Sequence, residues 1–262
     1  MIQVRKPAVA GLFYPADAQE LRTQVQHYIE QVGADNAPVP KAIIAPHAGY
    51  IYSGPVAGSV YARLKKAAGR IRRVVLLGPA HRVAVRGLAL SSAKSFLTPL
   101  GTVPVDQEIA EALLALPQVS INDATHADEH SLEVHLPFLQ EVLGEFSLVP
   151  LVVGNATAEE VAEVLESVWG GDETLIVISS DLSHYLDYDT ASALDRRTSD
   201  AIESLDFEKI TYDQACGRIP VSGLLQVARK KGLHGKTIDL RNSGDTAGPR
   251  DRVVGYGAYV FN

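Results

Sequence analysis

The sequence predicts an α/β fold, a three-layer α/β/α sandwich with a central mixed, mostly parallel sheet. Three observations predict it. Short runs such as KAIIA (41–45), RRVVLLGP (72–79), FSLVPLVVG (146–154) and TLIVISS (174–180) are continuously apolar rather than alternating, the pattern of strands buried on both faces. Segments with helical spacing separate these runs, which fits helices covering both faces of one sheet. The last two runs, KTIDLRN and RVVGYGAYVF, lie close together and predict an antiparallel pair at the end of the chain. With no linker, repeat or low-complexity segment between them, residues 1–262 read as a single domain.

The elements follow in order. Asp17 is placed to cap a helix over residues 18–32, where Leu21, Val25, Tyr28, Ile29 and Val32 recur at helical spacing. KAIIAP is the first buried strand, and Pro55 suits the first turn of a helix running to residue 68. Between them, Gly49 and Gly54 are expected to let the chain turn, with Tyr50 and Tyr52 on one side of an extended stretch. Strands at 72–79 and 87–91 come next, then a helix over 106–116 with Asp106 near its cap. SLEVHLPFLQEVLG (131–144) reads as helical, with Pro137 opening a new turn. After the strand at 146–154, Thr157 and Glu160 form a capping-box pattern for a helix reaching Trp169. The strand at 174–181 and helices over 189–205 and 220–231 precede the final pair.

Composition narrows the function classes. With 262 residues and 46% hydrophobic content, a sizeable core needs no covalent staple. A formal charge of −7 argues against nucleic acid as a partner, since such binders carry a basic face. One cysteine, Cys216, excludes an intrachain disulfide; it is expected to be a buried structural thiol. MIQVRKPAVAGLFYP lacks an unbroken apolar stretch, and no run approaches the about 18 apolar residues of a membrane span. These features predict a cytoplasmic protein without a membrane partner.

The histidines carry the chemistry. His27 and His234 stand alone, but His47 follows KAIIAP, His81 follows VVLLGPA, and Asp181 and His184 follow LIVISS. Three apolar strands thus end in polar, potentially ligating residues, and ligands of open α/β sheets bind outside the carboxyl ends of the strands. HADEHSLEVH (126–135) adds a dense group of acids and imidazoles. On a helix, positions 126, 130, 133 and 134 share a face; His130 could line the cleft, and Glu129 or Glu133 could orient a ligating histidine. Asp245, in the turn SGDTAG, is a candidate third ligand. Two imidazoles and one carboxylate suit non-haem Fe(II) or a catalytic zinc, and a further histidine, His184, could move protons beside the metal. No dinucleotide fingerprint, P-loop, HExxH or nucleophile elbow competes with this reading.

The ordered set AGLFYP, PHAGYIYSG, GPAHR, DEHSLEVHLPFL, SSDLSHY and CGRIPVSGLL resembles the Memo family over almost the whole chain. In bacteria and archaea this is the B component of the AmmeMemoRadiSam system, which implies a functional link to a radical SAM enzyme and an AMMECR-type protein. The family is similar in fold to LigB-type class III extradiol dioxygenases, which implies one α/β/α domain with a metal cleft. The resemblance places His47 and His81 as metal ligands and His184 as the proton-transferring histidine, with Phe13, Tyr52 and Asp181 lining the cleft. Animal members carry a cysteine as third ligand before the last strand. Here that cysteine aligns with Asp245 or Thr246, and the carboxylate is the better ligand for a hard divalent ion.

The resulting expectation is a metal-dependent, dioxygenase-like oxidoreductase using Fe(II), with zinc or copper as alternatives, acting on a small phenolic or other aromatic substrate. A non-catalytic metal- or peptide-binding protein and a zinc-dependent hydrolase are the competing expectations.

Overall fold

A computed structural model of the chain describes residues 3–33 and 37–262. Its strands are β1 (Val4–Arg5), β2 (Ala42–Ala45), β3 (Arg73–Pro79), β4 (Leu88–Leu90), β5 (Ser95–Thr98), β6 (Gly101–Pro104), β7 (Val119–Ile121), β8 (Ser147–Val153), β9 (Thr174–Ser179), β10 (His184–Leu186), β11 (Gly235–Asn242) and β12 (Val253–Phe261). The α-helices are α1 (Ala18–Glu30), α2 (Tyr50–Tyr61), α3 (Gln107–Leu113), α4 (Asp123–Ala127), α5 (Leu136–Leu143), α6 (Ala158–Ser167), α7 (Tyr188–Glu203) and α8 (Arg218–Lys231).

Among the described residues one 9-stranded sheet runs in the order β10-β12-β2-β9-β3-β8-β4-β7, with β11 pairing on β12. Its centre, β2-β9-β3-β8, is parallel, and these strands are the fully apolar runs. Antiparallel pairing enters at the flanks, where β12 joins β2 and β4 joins β8. The expected terminal pair is present as antiparallel β11–β12. One core, built with Leu21, Val25, Val56, Val60 and Leu139, packs α1, α2 and α5 on one face. The other, with Val161, Leu165, Ile202, Leu224 and Leu225, packs α6, α7 and α8 opposite. The three-layer α/β/α arrangement is therefore the observed one. A separate three-stranded sheet, β1-β5-β6, lies outside it. Its short strands have no distinct apolar run to announce them.

Local signals account for most boundaries. Asp17 caps α1 by accepting from the backbone N–H groups of Gln19 and Glu20. Asp106 caps α3, and the Thr157–Glu160 capping box opens α6. Four readings are corrected. α2 starts at Tyr50, so Pro55 lies inside the helix rather than in its first turn, and Tyr50 and Tyr52 point apart. Tyr50 is buried and donates to the Val134 carbonyl, whereas Tyr52 is exposed. Gly54 makes no turn: a Cβ there would stand 2.3 Å from the Tyr28 ring, so glycine lets α1 approach α2. The continuous helix over 131–144 is also absent. α4 ends at Ala127, a 3-10 turn covers Glu133–His135, and α5 begins only at Leu136 with Pro137 in its first turn.

That interruption is held by a buried ion pair. Glu133 is fully buried and pairs with Arg5; it also accepts from the Ala8 and Val9 N–H groups at 2.7 and 3.0 Å and from the Tyr14 hydroxyl at 2.6 Å. Arg5 in turn donates to the carbonyls of His126 and Glu129. Removing one partner of such a pair leaves an uncompensated buried charge, a loss of about 3–5 kcal/mol. Glu133→Ala is accordingly expected to lower the unfolding free energy by about that much in urea titrations. A loss below about 1 kcal/mol, the scale of exposed pairs, would show that the pair is not a structural anchor.

Candidate metal centre

The order of the central strands builds the site. β9 lies between β2 and β3, with Ala45 paired to Ser179 and Leu77 to Ile178. The carboxyl ends of three adjacent strands therefore deliver His47, the Ser179–Asp181 segment and His81 to one place. The His47 and His81 ring centroids are 5.1 Å apart, and that of His130 lies 5.4 Å from His47 and 4.7 Å from His81.

The hydrogen bonds settle which ring nitrogen each histidine offers. Ser179 Oγ donates to the Ser131 carbonyl at 2.6 Å, so it must accept from His47 Nδ1, also 2.6 Å away. His47 Nδ1 thus carries the proton and Nε2 keeps its lone pair. A carboxylate only accepts, so His81 Nδ1, 2.9 Å from Glu129 Oε1, also carries a proton, and Nε2 is the nitrogen turned away from Glu129. A ligating histidine anchored through its other nitrogen is the usual arrangement at a metal. His47, His81 and Cys216 form a group in which each offers one ligand atom and these atoms all lie within 4.8 Å of one another. The donor chemistry fits a divalent metal, and residue groups here could bind one.

Electrostatics agree with neutral donors. Burial, reinforced by the charge His81, His130 and other histidines would carry, holds His47 well below the ordinary histidine value. Burial and His81 bring His130 down to about 4. Glu129 behaves oppositely: burial favours its protonated form, but the side-chain and backbone hydrogen bonds from His81 outweigh that and bring it down to about 2. Glu129 also accepts from the N–H groups of His130 and Ser131, so its oxygens are engaged. A second group, His81–Glu129–His130, is also close enough to hold an ion, but these bonds make Glu129 the orienter of His81.

Each remaining sequence candidate has a definite place. Asp181 is buried, with its carboxyl raised by burial, and it accepts from the His47 N–H at 2.7 Å. His130 packs against Phe13 at 4.7 Å between ring centroids. Of the histidines in the 126–135 run, His126 bonds the Ala89 carbonyl and His135 the Tyr61 hydroxyl, so the helical face expected to unite 126 and 130 does not exist. His184 lines a cleft of about 830 Å³ together with His81, Tyr185, Tyr212, Cys216 and Arg218. It sits at a register shift in β10 beside Tyr185, whose φ of 61° is left-handed for a non-glycine residue. Tyr52 reaches the Gly49 turn rather than the cleft lining. A larger cavity, about 890 Å³ near Arg22, Arg72 and Glu145, contains no histidine.

Asp245 and Thr246 are the departure. Among the described residues, Asp245 joins no group of converging ligand atoms with the histidines. Asp245 is exposed, and its carboxylate accepts from the Tyr188 hydroxyl at 2.7 Å and from the Asn242 N–H at 3.0 Å. Thr246 donates to the Ser243 carbonyl. The turn chemistry of SGDTAG consumes both groups. Cys216, expected to be a buried structural thiol, lies 3.4 Å from His47 Nε2, and burial pushes its thiol up to about 12. No spacing in the sequence marked it, because it arrives from the turn before α8.

Two expectations follow. Glu129→Gln should weaken binding of a divalent metal by about 10–100-fold, the usual cost of losing a group that orients a ligand, as read by metal titration of the purified protein. Unchanged affinity would remove Glu129 from the site. Stability should also fall as the pH drops. Unfolded histidines take up protons near 6.5, whereas folded His126 and His130 resist until about 4 and His135 until about 3. The unfolded chain binds more protons across that window, so this contribution is complete above 6.5 and declines toward 4. The urea midpoint should be lower at pH 5 than at pH 7.5, and equal midpoints would contradict the neutral histidine cluster.

Comparison with known proteins establishes the family and accords with the fold. The family model described as "Memo-like protein" matches residues 5–260. A relative described as a MEMO1 family protein from Aquifex aeolicus is 37% identical over 271 residues, covering 99% of this chain and 100% of the relative. Another from Archaeoglobus fulgidus is 36% identical over 271 residues, covering 98% of this chain and 99% of its own. Among solved structures, an uncharacterised protein from Escherichia coli K12 matches with a TM-score of 0.52 at 13% identity, over 85% of this chain and 100% of that one. At that identity the likeness concerns the fold. The full-length matches, together with a histidine cluster at the strand ends, place the chain in one family: it belongs to the Memo-like proteins.

Proposed function

We propose that the protein is a metal-dependent oxidoreductase of dioxygenase-like type, acting on a small phenolic or related aromatic substrate. The observation that supports this most is the pair of imidazoles, His47 and His81, each anchored through Nδ1, with His81 on the wall of an open cleft and His47 buried beside it. A bound divalent ion, Fe(II) in the first instance, would polarise a phenolic oxygen and bring it next to dioxygen. The chain's own residues do the rest. His184, on the cleft wall, accepts the phenolic proton at an imidazole nitrogen. Phe13 packs at a tilt against His130 beside His47 and His81, and Tyr185 and Tyr212, 62% and 79% exposed, offer rings at the rim. Asp181 holds the His47 backbone in place through its N–H.

The exposed rim also favours a second reading, a protein that binds metal or an aromatic-bearing peptide without turnover. Zinc, held by the same imidazoles, would make a hydrolase the third. Anaerobic purification with metal analysis, followed by oxygen uptake with catechols and aminophenols, separates them. The expected result is about one iron per chain and oxygen consumption, with His47→Ala and His81→Ala each losing at least about 90% of the metal, a tenfold effect. Iron without oxygen uptake supports the binding reading, zinc with ester hydrolysis the third, and unchanged metal in His47→Ala contradicts the site.

A further inference from the structure

We infer that Cys216 supplies the third protein ligand of this metal, making a His2Cys centre in which Asp245 has no part; the inference rests on the metal reading above. Its Sγ is 3.4 Å from His47 Nε2, and the two belong with His81 to one group of converging donors. Usual zinc–sulfur and zinc–nitrogen lengths, about 2.3 and 2.0–2.1 Å, put two tetrahedral ligands about 3.5 Å apart, so the pair already stands at ligand spacing.

The fold presses the cysteine there. Gly217 lies against the end of β9: a Cβ on it would come within 2.5 Å of the Ser179 carbonyl oxygen and 2.7 Å of Ser180 Cβ. Only glycine permits that approach, and the Gly217 N–H bonds Ser180 Oγ at 3.0 Å. The turn before α8 is thereby docked on the strand end that carries Ser179, the anchor of His47. Cys216 Sγ also faces the Asp181 carbonyl at 3.7 Å, and its side chain lines the same cleft as His81 and His184. Binding is an exchange: the sulfur lone pair forms the bond to the metal, and the thiol proton leaves to solvent. Asp245, by contrast, is already committed to Tyr188 and Asn242. A thiolate in place of a carboxylate shifts the site's preference toward zinc and copper(I) relative to harder ions, while three protein ligands leave a position open to a small molecule.

Cobalt(II) tests this without reference to activity. The full-length protein, stripped with a chelator and titrated anaerobically with Co(II), should develop a thiolate-to-cobalt charge-transfer band in the near ultraviolet that saturates at one equivalent. The chain has a single cysteine, so the wild-type band by itself identifies Cys216, even where a variant fails to fold. Cys216→Ser should lose the band and bind Co(II) at least about tenfold more weakly, while Asp245→Asn keeps both. His47→Ala should lose the band as well; its persistence would place the cobalt elsewhere and overturn the inference. Wild-type protein that binds one Co(II) with visible ligand-field bands but no charge-transfer band overturns Cys216 as ligand and leaves the metal reading standing. No Co(II) binding at all overturns both.

Discussion

The cleft depends on one buried ion pair. Glu133 is enclosed in the turn before α5, and its carboxylate is paired with Arg5, two backbone N–H groups and the Tyr14 hydroxyl. Arg5 spends its other donors on the His126 and Glu129 carbonyls. A buried pair of this kind adds little net stability over an apolar substitute, but it tolerates few geometries. What it secures here is place. It ties the N-terminal segment to the irregular stretch 126–135 and prevents that stretch from becoming the regular helix its composition would allow.

From that anchor the site follows outward. Once the turn at 129–131 is fixed, Glu129 meets His81, and the Ser131 carbonyl accepts from Ser179, which in turn accepts from His47. The two imidazoles, on strands separated by β9, are thus oriented by the same short segment. Each carries a proton on Nδ1, and His47 Nε2 faces Cys216 Sγ. Burial makes the neutral form of His47 the favoured one, so electrostatics and hydrogen bonding select the same state there. The Arg5–Glu133 pair therefore acts on the candidate metal centre without touching it.

The parallel strands β2, β9 and β3 explain why the functional residues cluster at one edge. Parallel strands end together, and whatever follows each end shares one crevice. The antiparallel flanks serve a different purpose. β10 brings His184 to the crevice from the β12 side, and the irregularity at Tyr185 turns the chain there.

Much of this was legible in the sequence. The continuous apolar runs determined the buried parallel strands, the capping residues Asp17, Asp106 and Thr157 marked helix starts, and histidines at strand ends pointed to His47, His81 and His184. Each of these signals is local or repeats at short range. The third donor was not legible. Whether Asp245 or Cys216 reaches the histidines depends on how a turn before α8 docks on β9 and on what else in its own turn claims the Asp245 carboxylate. Likewise, the 126–135 segment carries helix-compatible residues, yet satisfying the buried charges of Arg5 and Glu133 broke it into turns. Local pattern selects elements, but the partners of buried polar groups are chosen by chain segments more than 100 residues apart, and only the assembled fold decides them.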